Sequence, residues 1–355
     1  MNRKNLSEKT KPARKTIQIH KKIQLGKAIK VVILSGIATA LLAQTAFANY
    51  ERWEAERAQF PKFEREKTVY KVSQGKWTGT RLRDGQPDVQ GHWSNTISNH
   101  TNFTDPQGAT PGEPPRTPLG PRESRAPSRV VDPADGQVPY QPWARELQQE
   151  YLKNFSEPVK PEYVEPLARC APGGPSKSFM WHGYEIRQYP GYVLFLFDSG
   201  SRIIHLVKKG ELDKKPHLDQ KIRLWNGDSR GYWDGNTLHV EVRNNNSKSR
   251  FGRTGEFSGT ETTVVEKFIF EDKGERYLYS ATYTDPTVFT RPWTLEIPAR
   301  RVENFSEDGW NNQLGIANHK GKKLLLEPYE QICTENNGGF GGGAVIGAGN
   351  AAPIY

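Results

Sequence analysis

Short β-patterned segments, closely spaced and without helical patterns between them, constrain the fold of this chain more than any other feature. Turn signals such as Pro190-Gly191 and Asp234-Gly235 separate several of them. The predicted strands are 184–187, 192–197, 202–207, 237–243, 262–270, 277–284, 293–297 and 324–329. Strands joined in this way pair antiparallel, and a closed sheet protects every edge. We therefore predict a mainly β fold, an antiparallel meander of about eight strands that closes into a lipocalin-like barrel.

A long proline-rich extension with a short helix precedes the predicted barrel. Ten of the 38 residues from 105 to 142 are proline, which disfavours both helix and central strand. The four-residue spacing of Trp143, Leu147 and Tyr151 predicts a helix that docks on the core. The predicted organisation has four parts: a signal peptide at 1–48, a helical, extended and proline-rich wrapping segment at 49–169, the barrel at 170–336 and a flexible glycine-rich tail at 337–355.

The positive charge of the chain is concentrated in its first 30 residues. They hold ten of the 50 Lys and Arg residues and one of the 40 Asp and Glu residues, which leaves 40 basic and 39 acidic side chains elsewhere. The remainder is almost neutral, so we expect no nucleic-acid binding.

A secretory leader fits this charge distribution. Residues 31–48 carry no charge and end in Ala46-Phe47-Ala48, the small-residue pattern of a cleavage site. We predict cleavage after Ala48 and a periplasmic or secreted protein. The alternative is an uncleaved leader, which would be the only part of the protein to contact a membrane.

The two cysteines, Cys170 and Cys333, flank the predicted barrel. In an oxidising compartment this pair predicts one disulfide that ties the two ends of the domain together. Two buried free thiols are the alternative.

The stretch 225–235 places acidic and basic groups beside indole rings. Asp228 and Arg230 are two residues apart, so on a strand their side chains point the same way. Trp225 and Trp233 flank them. The stretch is therefore either a structural pin or a small polar site.

Ionisable and aromatic side chains elsewhere could complete such a site at the barrel mouth. The candidate ligand-binding residues are Trp225, Arg230, Trp233, Tyr283, Asp285, Arg291 and Trp293. For catalysis, His239 could act as a base near neutral pH, oriented by Asp228 or Glu241. In the alternative interpretation, Asp228 accepts hydrogen bonds from backbone N–H groups of the glycine-rich turn. His239 and Glu241 then lie on the solvent-exposed outer face of their strand.

The sequence contains no recognised catalytic or cofactor signature. It lacks the HExxH, GxSxG and Walker patterns, and its histidines do not have the spacing of metal ligands. We therefore expect neither a cofactor nor a metal.

Several sequence blocks resemble those of a largely uncharacterised family of secreted bacterial proteins. The blocks are DGQPDVQGHW at 84–93, DGQVPYQPW at 135–143, GDSRGYWDGNTL at 227–238, TRPWT at 290–294 and the cysteine block CTEN at 333–336. The resemblance covers about residues 75–336 and implies export and a β-rich body. It does not imply a particular reaction.

Three functions are compatible with these features. The first is a periplasmic barrel that binds a small, partly apolar molecule. The second is a cofactor-independent hydrolase, hydratase or lyase that uses His239 with a carboxylate and an arginine. The third is a cell-envelope accessory protein whose proline-rich segment and tail engage another protein.

Overall fold

The structure, a computed structural model, consists mainly of β-strands. It describes residues 72–95, 103–105, 127–155, 158–164, 166, 171–180, 183–197, 200–252, 255–302, 318–319 and 322–323. The strands are β1 (Gly91–Asn95), β2 (Val130–Asp132), β3 (Tyr184–Tyr189), β4 (Tyr192–Phe197), β5 (Gly200–Leu206), β6 (Asp228–Asp234), β7 (Thr237–Arg243), β8 (Thr263–Phe270), β9 (Arg276–Thr284), β10 (Trp293–Val302), β11 (Asn318–His319) and β12 (Lys322–Lys323). One α-helix, α1 (Pro142–Lys153), and three 3-10 turns at Pro161–Tyr163, Lys177–Met180 and Leu212–Lys214 complete the regular structure of these residues.

Nine of the strands form a closed barrel. Their order around it is β1-β3-β4-β5-β6-β7-β8-β9-β10, and β1 pairs with β10 to close the ring. The predicted barrel is therefore confirmed, with nine strands where the sequence indicated about eight.

One pair of neighbouring strands is parallel, which the predicted antiparallel meander did not include. Strand β5 pairs with β6 in parallel, and every other neighbouring pair in the barrel is antiparallel. Strand directions can alternate all the way round a closed ring only if the number of strands is even. With nine strands one parallel pair is required, and the connection at residues 207–227 must return along the barrel to make it. We call this connection the crossover.

The barrel is closed by a strand from the segment that the sequence predicted to wrap around it. Strand β10 pairs with β9 along one edge, and its other edge is shared by two short strands. Its first half pairs with β2 and its second half with β1, where Trp93 lies opposite Arg301. These strands were not predicted because neither is long enough to show an alternating pattern.

Aromatic rings fill most of the barrel interior. Phe195, Phe268 and Tyr279 come from three different strands and are fully buried. Trp93 is also fully buried and packs edge-on against Phe270 and Tyr277. Aliphatic side chains from the same strands fill the space between the rings, and such a close-packed interior is rigid at its contacts.

Helix α1 packs on the outside of this core. It begins with a proline at its first turn, where the missing N–H is not needed. The helix buries Ala144 and Gln148, and Leu147 and Tyr151 are partly buried against the core. Trp143 was predicted to dock with them but is half exposed, because it lies at the edge of the buried face and donates its indole N–H to the Thr287 carbonyl.

Several predicted features lie outside the described residues. They are the leader, the start of the wrapping segment at 49–71, both cysteines, the strand expected at 324–329 and the glycine-rich tail. The disulfide between Cys170 and Cys333 thus stays a prediction. Within the described part of the chain, no helix has the length and apolar character needed to cross a bilayer.

Candidate functional site

The motif stretch forms strand β6 and its turn into β7, and the strand sends alternate side chains to opposite faces. Ser229 and Trp233 face the barrel interior, whereas Asp228 and Arg230 face outward. Gly231 lies between Ser229 and Trp233 on the inward face, and an added Cβ there would approach the His239 carbonyl oxygen to 2.7 Å. The side chains of this motif therefore contribute to two groups of polar residues, an inner group inside the barrel and an outer group on its outer face.

A buried ion pair forms the centre of the inner group. Arg202 from β5 contacts Glu266 from β8 through two nitrogen–oxygen pairs at 2.9 and 2.5 Å. The two side chains are 1% and 0% exposed. Arg202 also donates to the Ser229 hydroxyl at 3.0 Å. Burial lowers the pKa of Arg202, but the charge and hydrogen bonds of Glu266 outweigh this effect and raise it. Arg202 is therefore a cation whose counter-ion is fixed beside it.

A chain of three hydroxyl groups leads to the same carboxylate. Tyr279 donates to Glu266 at 2.5 Å, and the Ser176 hydroxyl lies 2.7 Å from that of Tyr279 and 2.5 Å from that of Tyr283. Burial raises the pKa of both tyrosines, and the charge of Glu266 raises that of Tyr279 further, so both keep their protons.

The number of protons fixes the direction of this chain. Each hydroxyl has one proton to donate. Tyr279 donates its proton to Glu266, so it must accept from Ser176. Ser176 then has no second proton for Tyr283 and must accept from it. Donation therefore runs from Tyr283 through Ser176 and Tyr279 to Glu266.

Ser176 belongs to a segment that enters the barrel without joining its sheet. We call residues 171–180 the plug. Its Phe179 ring is fully buried, and its carbonyl at Pro175 accepts a long hydrogen bond of 3.4 Å from Arg202. Five rings from the barrel wall surround Phe179 at centroid distances of 4.7 to 5.4 Å: Tyr184, Phe195, Phe197, Phe268 and Tyr279.

Two of the predicted ligand-binding aromatics lie in the same interior. Tyr283 and Trp293 stack with ring centroids 4.6 Å apart and an interplanar angle of 12°. Trp293 is fully buried, and its indole N–H has no hydrogen-bond partner in the described part of the chain. Trp233 is partly buried against the core, and the Trp225 carbonyl lies beside Gly174 of the plug.

Asp285 and Arg291 lie away from this network. Asp285 is buried and accepts hydrogen bonds from the hydroxyl groups of Thr262 and Thr287, so it fixes a turn. Arg291 is exposed and forms two contacts of 2.7 Å with Asp132. The structure thus does not bring Arg291 together with the tyrosines.

The outer group contains Asp228 and Glu241, joined by a residue outside the predicted site. His217, from the crossover, contacts Asp228 through Nδ1 at 2.9 Å and Glu241 through Nε2 at 3.2 Å. Arg230 lies 3.1 Å from Asp228, and Arg243 pairs with Glu241 at 2.7 Å. This group fastens the crossover to the outer face of the β6–β7 hairpin.

His239 lies on the outer face but in a different place. Its ring stacks on Tyr232 at 5.0 Å and lies 3.3 Å from the Gln74 amide nitrogen. Burial and then the positive charge of Lys267 lower the pKa of His239. Along the strands, Asp228 is four residues from Tyr232, the partner of His239, which corresponds to about 13 Å.

Two of the site residues that the sequence analysis missed, Arg202 and Glu266, could have been found from their positions in the strand pattern. Arg202 lies in the same strand phase as Ile204 and Leu206, and Glu266 lies between Val264 and Phe268 in phase. A charged residue at an inward position of an apolar pattern indicates a buried partner. His217 and Ser176 lie in connections without such a pattern, and nothing in the sequence around them indicates their contacts.

The described residues contain no group of three or more histidine, cysteine or carboxylate side chains arranged to hold a metal ion. Comparisons of the chain with models of protein families, with characterised proteins and with solved structures find no match.

Proposed function

We propose that this protein is an exported barrel that binds a small, partly apolar molecule in its interior. The observation that carries the proposal is the polar network of Arg202, Glu266 and Tyr279 inside walls of aromatic rings. Ligand sites are largely apolar, with a few fixed polar groups that give orientation and specificity. A buried ion pair is often no more stabilising than apolar side chains of the same volume. Stability alone therefore does not explain why this ion pair is present, whereas recognition of a ligand does.

The dimensions of the fold are compatible with the same function. Barrels of about eight strands have interiors that side chains fill or that hold one small ligand. This barrel has nine strands. The indole N–H of Trp293 has no acceptor among the described residues, and a buried donor without a partner is costly. An acceptor on a bound molecule would satisfy it.

Export is the part of the proposal that rests on the sequence. The basic segment, the uncharged run at 31–48 and the Ala46-Phe47-Ala48 pattern support a leader. The near-neutral remainder of the chain is compatible with a small uncharged or weakly charged ligand.

The enzyme hypothesis receives less support from the geometry. His239 lies about 13 Å along the sheet from Asp228, and Arg291 pairs with Asp132 instead of approaching either. A base and the group that orients it must be within hydrogen-bond reach. The described contacts do not join His239 to a carboxylate in this way.

Ligand extraction and thermal unfolding test the proposal. The protein, purified from cells that express it, is extracted with organic solvent, and the extract is analysed by mass spectrometry. The compounds found are then added back to extracted protein. We expect them to raise the melting temperature, because a ligand that binds only the native state stabilises it.

Two variants test whether the ligand binds in the barrel interior. Tyr279→Phe removes one hydroxyl of the interior network and should reduce the ligand-induced shift. His239→Ala, on the outer face, should leave it almost unchanged. The proposal is overturned if no extracted compound shifts the melting temperature, or if His239→Ala abolishes a shift that Tyr279→Phe retains.

A further inference from the structure

We infer that the ligand is an uncharged aromatic molecule with a hydroxyl group, and that it binds by replacing Ser176 and Phe179 of the plug. This inference rests on the proposed function and specifies the chemistry of the same site. It follows from the two side chains through which the plug contacts the aromatic residues of the barrel wall, one ring and one hydroxyl, beside the long hydrogen bond from Arg202 to the Pro175 carbonyl.

The plug can leave the barrel without breaking the sheet. It contains only turns and the short 3-10 element Lys177–Met180, and none of its described residues belongs to a strand. The plug enters the barrel through Phe179, which contacts five wall rings, and Ser176, which contacts two wall tyrosines. A molecule that supplies an equivalent ring and hydroxyl would reproduce both sets of contacts.

A hydroxyl at the position of Ser176 preserves the direction of donation. The group there then accepts a hydrogen bond from Tyr283 and donates one to Tyr279. A carboxylate can only accept, and an ammonium group can only donate. An alcohol or a phenol does both and therefore completes the chain.

The charge of the site requires the ligand to be neutral. Arg202 and Glu266 neutralise each other and are almost completely buried. Because each member of this pair already has its counter-ion, neither would neutralise an additional charge, and burying an unpaired charge is far more costly than burying a neutral hydroxyl. A carboxylate at the position of Ser176 would also be repelled by Glu266, which the intervening Tyr279 contacts directly.

Four probes with the same phenyl group separate these requirements. They are 2-phenylethanol, ethylbenzene, phenylacetate and 2-phenylethylamine, titrated into the full chain and followed by calorimetry. We expect 2-phenylethanol to bind best and ethylbenzene about five- to tenfold more weakly, since it forms no hydrogen bond. The two charged probes should bind more than about a hundredfold more weakly than the alcohol.

Plug variants test where the alcohol binds. Ser176→Ala removes the hydroxyl that competes for Tyr279 and Tyr283, so it should increase the affinity for 2-phenylethanol about fivefold. Phe179→Ala leaves room for the phenyl group within the five wall rings and should also increase the affinity. Tyr283→Phe should reduce the preference for the alcohol over ethylbenzene, whereas Tyr232→Phe, on the outer face, should not change it.

Hydrogen exchange reports the movement of the plug. Saturating 2-phenylethanol should accelerate amide exchange at residues 171–180 in the wild-type protein while strands β8 and β9 stay protected. Unchanged exchange in the plug during binding would overturn the replacement of Ser176 and Phe179.

The outcomes distinguish this inference from the function on which it rests. If phenylacetate or 2-phenylethylamine binds as tightly as the alcohol, the neutral class is wrong, although the barrel still binds a small molecule. If none of the four probes binds even to Phe179→Ala, while compounds extracted from the purified protein still stabilise it, only the aromatic alcohol class is overturned. If those extracted compounds fail as well, the proposed function falls with it.

Discussion

Arg202 and Glu266 meet inside the barrel although β6 and β7 separate their strands in the sheet. Their contact spans the interior between strands that share no backbone hydrogen bonds. Moving both charges out of water costs several kcal/mol for each ion, which only a well-formed pair with additional hydrogen bonds can offset. Ser229 and Tyr279 supply such bonds, so the geometry of the pair depends on four strands at once.

Breaking this pair from one side should be much more harmful than removing it completely. Glu266→Leu leaves Arg202 buried without a counter-ion and should lower the free energy of unfolding by about 3–5 kcal/mol. The double variant Arg202→Met with Glu266→Leu should lose less than Glu266→Leu alone. Urea unfolding followed by tryptophan fluorescence measures both. A double variant that loses as much stability as Glu266→Leu, or more, would show that the two charges do not stabilise each other in the folded protein.

His217 should hold the crossover in place. His217→Ala removes hydrogen bonds to Asp228 and Glu241, which keep Arg230 and Arg243 as partners, so we expect a loss of about 1–3 kcal/mol in unfolding free energy. His205→Ala, on the outer face of β5, is the matched control and should cost less. Amide exchange should accelerate across residues 207–227 in the first variant alone. Equal effects of both substitutions would contradict the role assigned to His217.

Gly235 tests the contact between the β6–β7 turn and the extended segment around Gly75. Both Gly235 and Gly191 have positive φ, at 60° and 87°, which disfavours alanine at either position. An added Cβ at Gly235 would lie 2.0 Å from the Gly75 carbonyl oxygen, whereas at Gly191 it would meet nothing within 4 Å. Gly235→Ala should therefore destabilise the protein by about 1–3 kcal/mol more than Gly191→Ala. Equal losses in urea unfolding would mean that this contact is easily relieved.

Two histidines should make the protein less stable under mildly acidic conditions. Burial, followed by the nearby Arg230 charge for His205 and the Lys267 charge for His239, lowers the pKa of each residue in the folded protein. The unfolded chain then binds more protons between the lowered values and about 6.5. The corresponding stability is fully present above that pH and is lost as the pH falls through the window.

The double variant His205→Gln with His239→Gln isolates this effect from the titration of carboxylates. Its unfolding free energy should fall less than that of the wild-type protein between pH 7.5 and pH 5.5. A steeper fall in the variant would reverse the sign of the proposed linkage.

Strand positions could be predicted wherever turn residues bordered an alternating segment or a short apolar run. Residues 192–197 and 237–243 were predicted with the bounds that the structure has, because turns border both: the first is a short apolar run, and the second has a clear period of two. The parallel pairing of β5 with β6 was not predictable in the same way. It is a property of the closed ring and of its strand number, which depend on the distant strand β1.

The candidate site was only partly predictable for a related reason. Alternation along β6 correctly placed Asp228 and Arg230 on the same side, where they lie 3.1 Å apart. It does not tell which side is the interior, and it gives no information about residues in connections. His217 and Ser176 come from such connections, so their partners are fixed by the path of the chain in three dimensions.

The seam between β1 and β10 has a consequence for biosynthesis. Trp93 is synthesised about 200 residues before Arg301, its partner across the seam, which at cellular rates of translation is a delay of about 10–40 s. Throughout this delay the nascent chain presents β1 without its partner, and the growing sheet keeps an open edge to which other chains can add. Demand for a chaperone should therefore be greatest just before the ribosome reaches β10, and premature termination there should yield aggregates instead of a smaller soluble barrel.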